Sequence, residues 1–209
     1  MMAVNTNQLN IFRYTLYAPV YDRVAKILDR SRKRSIQQLN VQHHEKVLIV
    51  GAGTGMDLDH LPSECIITAT DITPAMVNRI NRRNVKLNHR LEAMVMDGQN
   101  LTFGNASFDK VILHLILSVI PNPIKTIREA ERVLKPGGRI AIYDKFVHPY
   151  KKLSNTRKIS NLFTNLFFSN ITRNFETIVA QTSLKIISDQ KADLGGNFRI
   201  ILLEKQSGS

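Results

Sequence analysis

The sequence has one cysteine, no tryptophan and no long uninterrupted apolar run. Because Cys65 stands alone, the chain cannot form an internal disulfide, which favours a reducing compartment. Its apolar neighbours predict a buried thiol rather than a nucleophile. The longest apolar run, residues 111–121, is interrupted by His114 and Ser118 and is too short to cross a bilayer. Residues 1–10 lack the apolar segment of a signal peptide. We therefore expect a cytoplasmic protein with no transmembrane segment, either soluble or peripheral on the inner face of the membrane.

Acidic residues are also scarce. The 209 residues include 29 lysines and arginines against 17 aspartates and glutamates, a formal net charge of +12. Such an excess favours a polyanionic partner, which is either nucleic acid or an anionic membrane surface. With 43% hydrophobic residues the chain is typical of a single folded domain rather than a disordered segment.

The hydrophobic pattern predicts an α/β fold. Residues 9–39 have helical periodicity, and after them five short apolar strands alternate with helices. These strands are predicted at residues 47–50, 65–70, 91–96, 108–115 and 139–143. Two further strands, at residues 184–189 and 198–203, are separated by too few residues for a helix and should pair antiparallel. We therefore predict a doubly wound sheet of five parallel strands plus a C-terminal antiparallel hairpin, seven strands in all.

A glycine-rich loop follows the first predicted strand, with the sequence Gly51-Ala52-Gly53-Thr54-Gly55. Glycines let a chain pass close to a ligand, and in doubly wound folds ligands lie at the carboxyl ends of the strands. Asp71 ends the second strand, where a carboxylate can bind both hydroxyls of a ribose. Asp97 follows the third strand, within reach of an adenine amino group. Together these features predict a nucleoside site.

The same loop argues against a nicotinamide cofactor. The fingerprint G-x-G-x-x-G would place its third glycine at position 56, which is Met56 here. Asp57 and Asp59 follow closely, and their negative charge disfavours a diphosphate at this position. A cofactor with a cationic sulfonium and amino group fits better.

Several motifs jointly resemble the class I S-adenosylmethionine-dependent methyltransferases, across residues 14–145. They are Val47-Leu48-Ile49-Val50-Gly51-Ala52-Gly53-Thr54-Gly55, Asp71-Ile72-Thr73-Pro74-Ala75-Met76, Met96-Asp97-Gly98, Ser107-Phe108-Asp109-Lys110-Val111 and Arg132-Val133-Leu134-Lys135-Pro136-Gly137-Gly138-Arg139. The resemblance implies a Rossmann-like methyltransferase fold that binds S-adenosylmethionine, releases S-adenosylhomocysteine and uses no metal. It implies cofactor contacts from Gly51, Ala52, Gly53, Thr54, Gly55, Asp71, Ile72, Met76, Asp97, Gly98 and His114.

The resemblance also implies a division of the chain into four parts. Residues 1–40 would be an N-terminal helical cap and residues 41–145 the cofactor-binding core. Residues 146–180 would be a basic and aromatic insertion that contacts substrate or membrane, and residues 181–209 the terminal hairpin.

Within the class, the chain is most similar to bacterial phosphatidylethanolamine N-methyltransferases and quinone-biosynthesis methyltransferases. Tyr14, Tyr17 and Tyr21 match an N-terminal helix that closes over the cofactor there, which makes them candidates for the substrate pocket. Tyr21 and His114 are the candidate catalytic residues, since an imidazole can take a proton near neutral pH. These families usually carry an acidic residue two positions before the first glycine, where this chain has Ile49. Asp57 is the hypothetical substitute for that carboxylate.

The acceptor is predicted from the insertion. From residue 145 to residue 173 the chain has six cations, no acidic residue and many aromatic and aliphatic side chains. This pattern favours a helix in the interface of an anionic membrane, and hence the amine of phosphatidylethanolamine or its methylated forms as acceptor. The aromatics could instead be core residues beneath a solvated basic face. The alternatives are a soluble small molecule or quinone precursor, and an RNA-binding protein that holds the cofactor without turnover.

Overall fold

A computed structural model describes residues 28–146, 173–193 and 198–207 of the chain. Tyr14, Tyr17 and Tyr21 lie outside these residues, as does most of the predicted insertion. The predicted four-part division of the chain stays a prediction. Among the described residues, no helix is long and apolar enough to cross a membrane.

The described chain alternates strands with helices, as the hydrophobic pattern predicts. The helices are α1 (Asp29–Leu39), α2 (Pro74–Leu87), α3 (Pro123–Val133) and α4 (Phe175–Val179), and a short 3-10 helix spans Met56–His60. The strands are β1 (Lys46–Val50), β2 (Ile66–Asp71), β3 (Arg90–Val95), β4 (Phe108–His114), β5 (Leu134–Lys145), β6 (Lys185–Lys191) and β7 (Phe198–Glu204).

The seven strands form one sheet in the order β3-β2-β1-β4-β5-β7-β6. Strands β1 to β5 are mutually parallel, and the direction of winding reverses between β1 and β4. In sheets of this kind the reversal opens a crevice at the carboxyl ends of the two strands. The topology therefore places a ligand site beyond Val50 and His114.

The predicted C-terminal hairpin is confirmed. β7 pairs antiparallel with both β5 and β6, which places the last strand inside the sheet and β6 at its edge. Arg139 lies opposite Glu204 in this register, and its Nε donates to Glu204 Oε2 at 2.8 Å.

The prediction that β5 begins at Arg139 is wrong, because the strand begins at Leu134 and includes Pro136-Gly137-Gly138. The pairing with β4 shifts register between Phe108 and Lys110, which accommodates the extra residues as a bulge. Gly137 has a φ of +74°, and its N–H donates to Lys205 O at 2.8 Å, so the turn-forming residues remain hydrogen-bonded to the chain beyond β7.

Two apolar layers cover the sheet. Because side chains alternate along a strand, Leu48 and Val50 pack with α3 on one face, whereas Val47 and Ile49 pack with α1 on the other. Ile49 is fully buried in this second layer. An ionised carboxylate at that position would have been costly unless it was paired, so the apolar residue agrees with its surroundings.

Cys65 is buried, as its apolar neighbours predict. Burial raises the pKa of its thiol to about 11.

Candidate functional site: a cofactor cleft

A cleft lies at the carboxyl ends of β1, β2 and β4. The space between its walls amounts to about 680 Å³, part of which is open to solvent. Its lining combines the glycine loop, the end of β2 and the segment after β4, namely Gly51, Gly53, Asp71, Ile72, Met76, Met96, Gly98, His114, Leu115, Ile116, Val119, Ile120 and Pro121. Seven of these residues were predicted to contact the cofactor.

The glycine loop has the backbone conformation that only glycine adopts without strain. Gly51, Gly53 and Gly55 have φ values of +68°, +57° and +78°. A Cβ at Gly51 would lie 2.5 Å from Ile116 Cδ1, so the loop also passes close to the opposite wall of the cleft. Ala52, Thr54 and Gly55 belong to the loop, but they do not line the cleft.

Asp71 fastens this loop to β2. Its Oδ2 accepts the N–H of Gly53 at 2.9 Å, and its Oδ1 accepts the N–H of Thr73 at 2.9 Å. Burial raises the pKa of this carboxyl, while the two backbone donors act in the opposite direction. Each oxygen retains a further acceptor position. The carboxylate can therefore also accept hydrogen bonds from the vicinal hydroxyls of a ribose, as the nucleoside part of S-adenosylmethionine requires.

Asp97 lies at the edge of the cleft rather than in its lining. Its neighbours Met96 and Gly98 contribute to the wall, while its carboxylate accepts the N–H and the side-chain amide of Gln99 at 2.9 and 3.0 Å. Gln99 Oε1 in turn accepts the N–H of Asn122 at 2.9 Å. The adenine contact predicted for Asp97 stays a prediction.

His114 lines the cleft, but neither of its ring nitrogens is free. Nδ1 lies 2.8 Å from Asp57 Oδ1, and Nε2 lies 2.9 Å from Ser35 Oγ. The ring also packs edge-on against Tyr143, with centroids 5.9 Å apart. A proton can therefore reach Nε2 only through the Ser35 hydroxyl or after that hydroxyl has moved.

The two acidic residues after the glycine loop do not act on the cleft as their positions suggest. Asp57 is buried and binds Arg32 Nη1 at 2.8 Å, and Asp59 accepts the Nε–H of Arg83 at 2.9 Å. Because both carboxylates are paired with arginines, their charge is largely cancelled. Asp57 and Asp59 accordingly disfavour a diphosphate only weakly, and the absence of a glycine at position 56 distinguishes the two cofactors better.

Sequence reasoning missed Arg32 and Ser35 as site residues. Arg32 stands in a run of cations together with Arg30, Lys33 and Arg34, a pattern typical of a basic outer helix face. The structure confirms that those three are exposed, whereas Arg32 is 4% exposed and points inward. Ser35 is one turn further along the same buried side. In the sequence, their spacing of three residues indicates that both lie on the same face of the helix.

A second feature that was not predicted from the sequence is a pair of hydrogen bonds that position the segment after β4. The buried carboxylate of Asp144, at the end of β5, accepts the N–H of Ser118 at 2.9 Å. Burial raises the pKa of this carboxyl. Arg173 donates through Nη1 to the carbonyl oxygen of Leu117. The two residues that border the insertion are thus attached to the cleft wall.

Comparisons with known proteins concern the domain family and the fold. Residues 48–142 match the methyltransferase domain family. Over 190 residues the chain is 25% identical to a phosphatidylethanolamine N-methyltransferase of Cereibacter sphaeroides, covering 90% of this chain and 93% of that protein. It is 32% identical over 143 residues to a demethylmenaquinone methyltransferase of Tropheryma whipplei, covering 62% of this chain but only 59% of that relative.

A solved structure shows the same fold. The S-adenosylmethionine-dependent methyltransferase from Aquifex aeolicus superposes with a TM-score of 0.64 at 15% identity, covering 88% of this chain and 96% of the other. The methyltransferase domain at residues 48–142 and the relatives, together with the nucleoside cleft, indicate an S-adenosylmethionine-dependent methyltransferase.

Proposed function

We propose that the enzyme methylates the amine of phosphatidylethanolamine, or of its methylated forms, at an anionic membrane surface. The observation that carries this proposal is the similarity to the Cereibacter phosphatidylethanolamine N-methyltransferase, which extends over 93% of that relative's length. The similarity includes more than the cofactor domain, so it also covers segments that would contact the acceptor.

The charge of the insertion supports a lipid acceptor. The segment from residue 145 to residue 173 contains six cations and no acidic residue. Its described ends, Lys145 and Arg173, lie near the Asp144 carboxylate, and burial lowers the pKa of both cations. A segment rich in cationic and aromatic side chains is suited to lipid phosphates and to the acyl boundary beneath them.

The cleft suits methyl transfer to an amine. S-Adenosylmethionine supplies an activated methyl group when it is bound. The chain contributes apolar walls from Ile72, Met76, Ile116, Val119 and Ile120, which exclude water from the reacting atoms. Positioning the amine in line with the methyl group then supplies much of the rate.

The amine must lose a proton, and His114 is the proposed acceptor because its ring lines the cleft. Its Nε2 is hydrogen-bonded to Ser35 Oγ at 2.9 Å, so this bond must open before Nε2 can take the proton. Tyr14, Tyr17 and Tyr21 remain the proposed substrate residues, with Tyr21 the second catalytic candidate.

The test is methyl incorporation from labelled S-adenosylmethionine into liposomes. Vesicles of phosphatidylethanolamine with phosphatidylglycerol should be labelled faster than vesicles of phosphatidylethanolamine with neutral phosphatidylcholine, because anionic lipid recruits the insertion. Free phosphoethanolamine should be a poor acceptor. Absence of label from every lipid fraction, with cofactor binding intact, would contradict the proposal.

A charge-neutralised variant tests the role of the insertion directly. Replacing Lys151, Lys152, Arg157 and Lys158 by glutamine should greatly reduce labelling of anionic vesicles, since each surface cation contributes about 1 kcal/mol to membrane binding. The matched control replaces four exposed cations elsewhere, namely Arg82, Lys86, Arg90 and Lys125. Equal losses in the two variants would show that overall charge matters and the insertion does not.

The second candidate acceptor is a quinone precursor or another soluble small molecule. The 32% identity to a demethylmenaquinone methyltransferase favours it, although this chain covers only about three fifths of that relative. This alternative predicts turnover of a soluble acceptor without vesicles, and no effect of neutralising the insertion.

A further inference from the structure

The inner face of α1 is unusually polar. Ser31, Arg32 and Ser35 are all buried, with exposures of 3%, 4% and 1%. A helix that only covered a sheet would present apolar side chains there. Because burying polar groups is costly unless they are hydrogen-bonded, their partners show what this face is for.

One of these side chains binds a residue of the cleft lining, and another binds the 3-10 helix that follows the glycine loop. Arg32 Nη1 donates to Asp57 Oδ1 at 2.8 Å, and Ser35 Oγ lies 2.9 Å from His114 Nε2. His114 Nδ1 completes the chain at 2.8 Å from Asp57 Oδ1. Four side chains from three parts of the sequence thus form one buried network, which we call the α1 clasp: Arg32, Ser35, Asp57 and His114.

The α1 clasp acts on the side of the glycine loop that Asp71 does not reach. Asp71 holds the middle of the loop to β2 through the N–H of Gly53. Asp57 lies two residues after Gly55, in the 3-10 helix where the loop ends, and is bound to the end of β4 through His114. The loop is therefore linked to β2 through Asp71 and to β4 through Asp57 and His114.

We propose that Arg32, Ser35 and Asp57 are positioning residues for cofactor binding, which couple the docking of α1 to the shape of the S-adenosylmethionine site. Coupling between two sites is reciprocal, so cofactor binding should also stabilise α1. The proposal needs no methyl acceptor, and it holds or fails independently of the lipid assignment.

The protonation pattern of the α1 clasp is internally consistent. Burial alone would raise the pKa of the Asp57 carboxyl, but Arg32 and His114 together hold it well below its usual range. Asp57 is then an acceptor only, so the proton of a neutral His114 lies on Nδ1 and Nε2 accepts from the Ser35 hydroxyl. Tyr143, whose hydroxyl donates to Asp193, is the other titratable group against the ring. Arg32 balances the charge of Asp57, since the two form a buried ion pair at 2.8 Å.

The first experiment compares two buried serines of the same helix. Ser35→Ala should weaken the binding of S-adenosylhomocysteine, measured by titration calorimetry, by about fivefold or more. Ser31→Ala is the matched control, because Ser31 is also buried on this helix and its hydroxyl faces Tyr143 rather than Asp57 or His114. It should lower the unfolding midpoint to a similar extent but change the dissociation constant less than twofold. Equal effects of the two substitutions on binding would overturn the proposal.

The hydroxyl itself is tested by the isosteric pair Ser35→Thr and Ser35→Val. Both add a methyl group in the same confined space, so any strain is shared. Only threonine retains the hydrogen bond to His114, and it should bind S-adenosylhomocysteine more tightly than the valine variant. If the two bind equally, Ser35 merely fills space.

Hydrogen exchange tests the reciprocal effect. Saturating S-adenosylhomocysteine should slow amide exchange across α1 in the wild-type protein. In Ser35→Ala, at ligand concentrations adjusted to reach saturation, this added protection should be reduced. Unchanged protection of α1 in the variant would show that the helix and the cofactor site are independent.

Discussion

Replacing Gly51 by alanine should damage the enzyme in two separable ways. Gly51 has a φ of +68°, a region that costs a residue with a Cβ about 1–2 kcal/mol. The new Cβ would also lie 2.5 Å from Ile116 Cδ1 and 2.9 Å from Ile116 Cγ1. Overpacking of this kind costs about 1–3 kcal/mol. The two effects together predict a loss of about 2–5 kcal/mol, a large part of the 5–15 kcal/mol that is typical of a domain.

The crowding against Ile116 also affects the cofactor site. Ile116 lines the cleft and has a flexible end, so it should move away from the new methyl group and change the shape of the site. We expect the dissociation constant of S-adenosylhomocysteine to rise about tenfold, equivalent to about 1.4 kcal/mol. Denaturant titration measures the stability, and calorimetry at 25 °C measures the binding of the fraction that is folded.

Two further variants separate strain from crowding. In the background of Ile116→Ala, which leaves only the Cβ of residue 116 at 3.2 Å, the effect of Gly51→Ala should shrink towards the backbone strain, so that the double-mutant cycle gives a coupling of about 1–3 kcal/mol. Gly104→Ala is the control, because a Cβ there meets nothing closer than 3.6 Å. A Gly51→Ala protein with wild-type stability and affinity would refute both the loop conformation and its contact with Ile116.

Three other substitutions or modifications test single residues of the structure. Asp71→Ala should abolish the binding heat of S-adenosylmethionine, and undiminished heat would show that the ribose lies elsewhere. Glu129→Gln should lower stability at pH 7, because Arg132 lowers the pKa of Glu129; this contribution is present above the unfolded pKa and disappears as the pH falls through the folded value. Denaturation from pH 7 to pH 3 checks this, and a pH-independent difference contradicts it. Burial raises the pKa of Cys65 to about 11, so maleimide should label the folded protein slowly at pH 8 and the denatured protein rapidly. Fast labelling of folded protein would show that Cys65 is accessible.

The α/β fold was predictable because its signals are local. Apolar strands, a proline at the start of α2 and α3, and the short gap before β7 each depend on a few adjacent residues. Where a local sequence signal conflicted with strand pairing, the strand pairing determined the structure. Pro136-Gly137-Gly138 is typical of a break, but the register shift at β4 keeps these residues within β5.

The α1 clasp was not predictable in the same way. Ser35 and His114 are 79 residues apart, and Arg32 and Asp57 are 25 apart. Local periodicity shows which residues share a helix face, but it does not show which cation of a basic helix meets a buried carboxylate. The positions of Gly51, Asp71 and Gly98 in the cleft lining were easier to predict, since parallel strands bring their carboxyl ends together whatever the details of packing.

The position of β7 has a consequence for how the enzyme is made. β7 is synthesised after the other six strands, yet it lies between β5 and β6 and supplies hydrogen bonds to both. A nascent chain that has not passed residue 198 exposes the edge of β5 and cannot hold β6. Exposed strand edges are templates for aggregation, so translation arrested between β6 and β7 should yield a species that chaperones and proteases recognise. The cofactor cleft is encoded almost entirely before residue 146, but the sheet that supports it closes only when β7 is added.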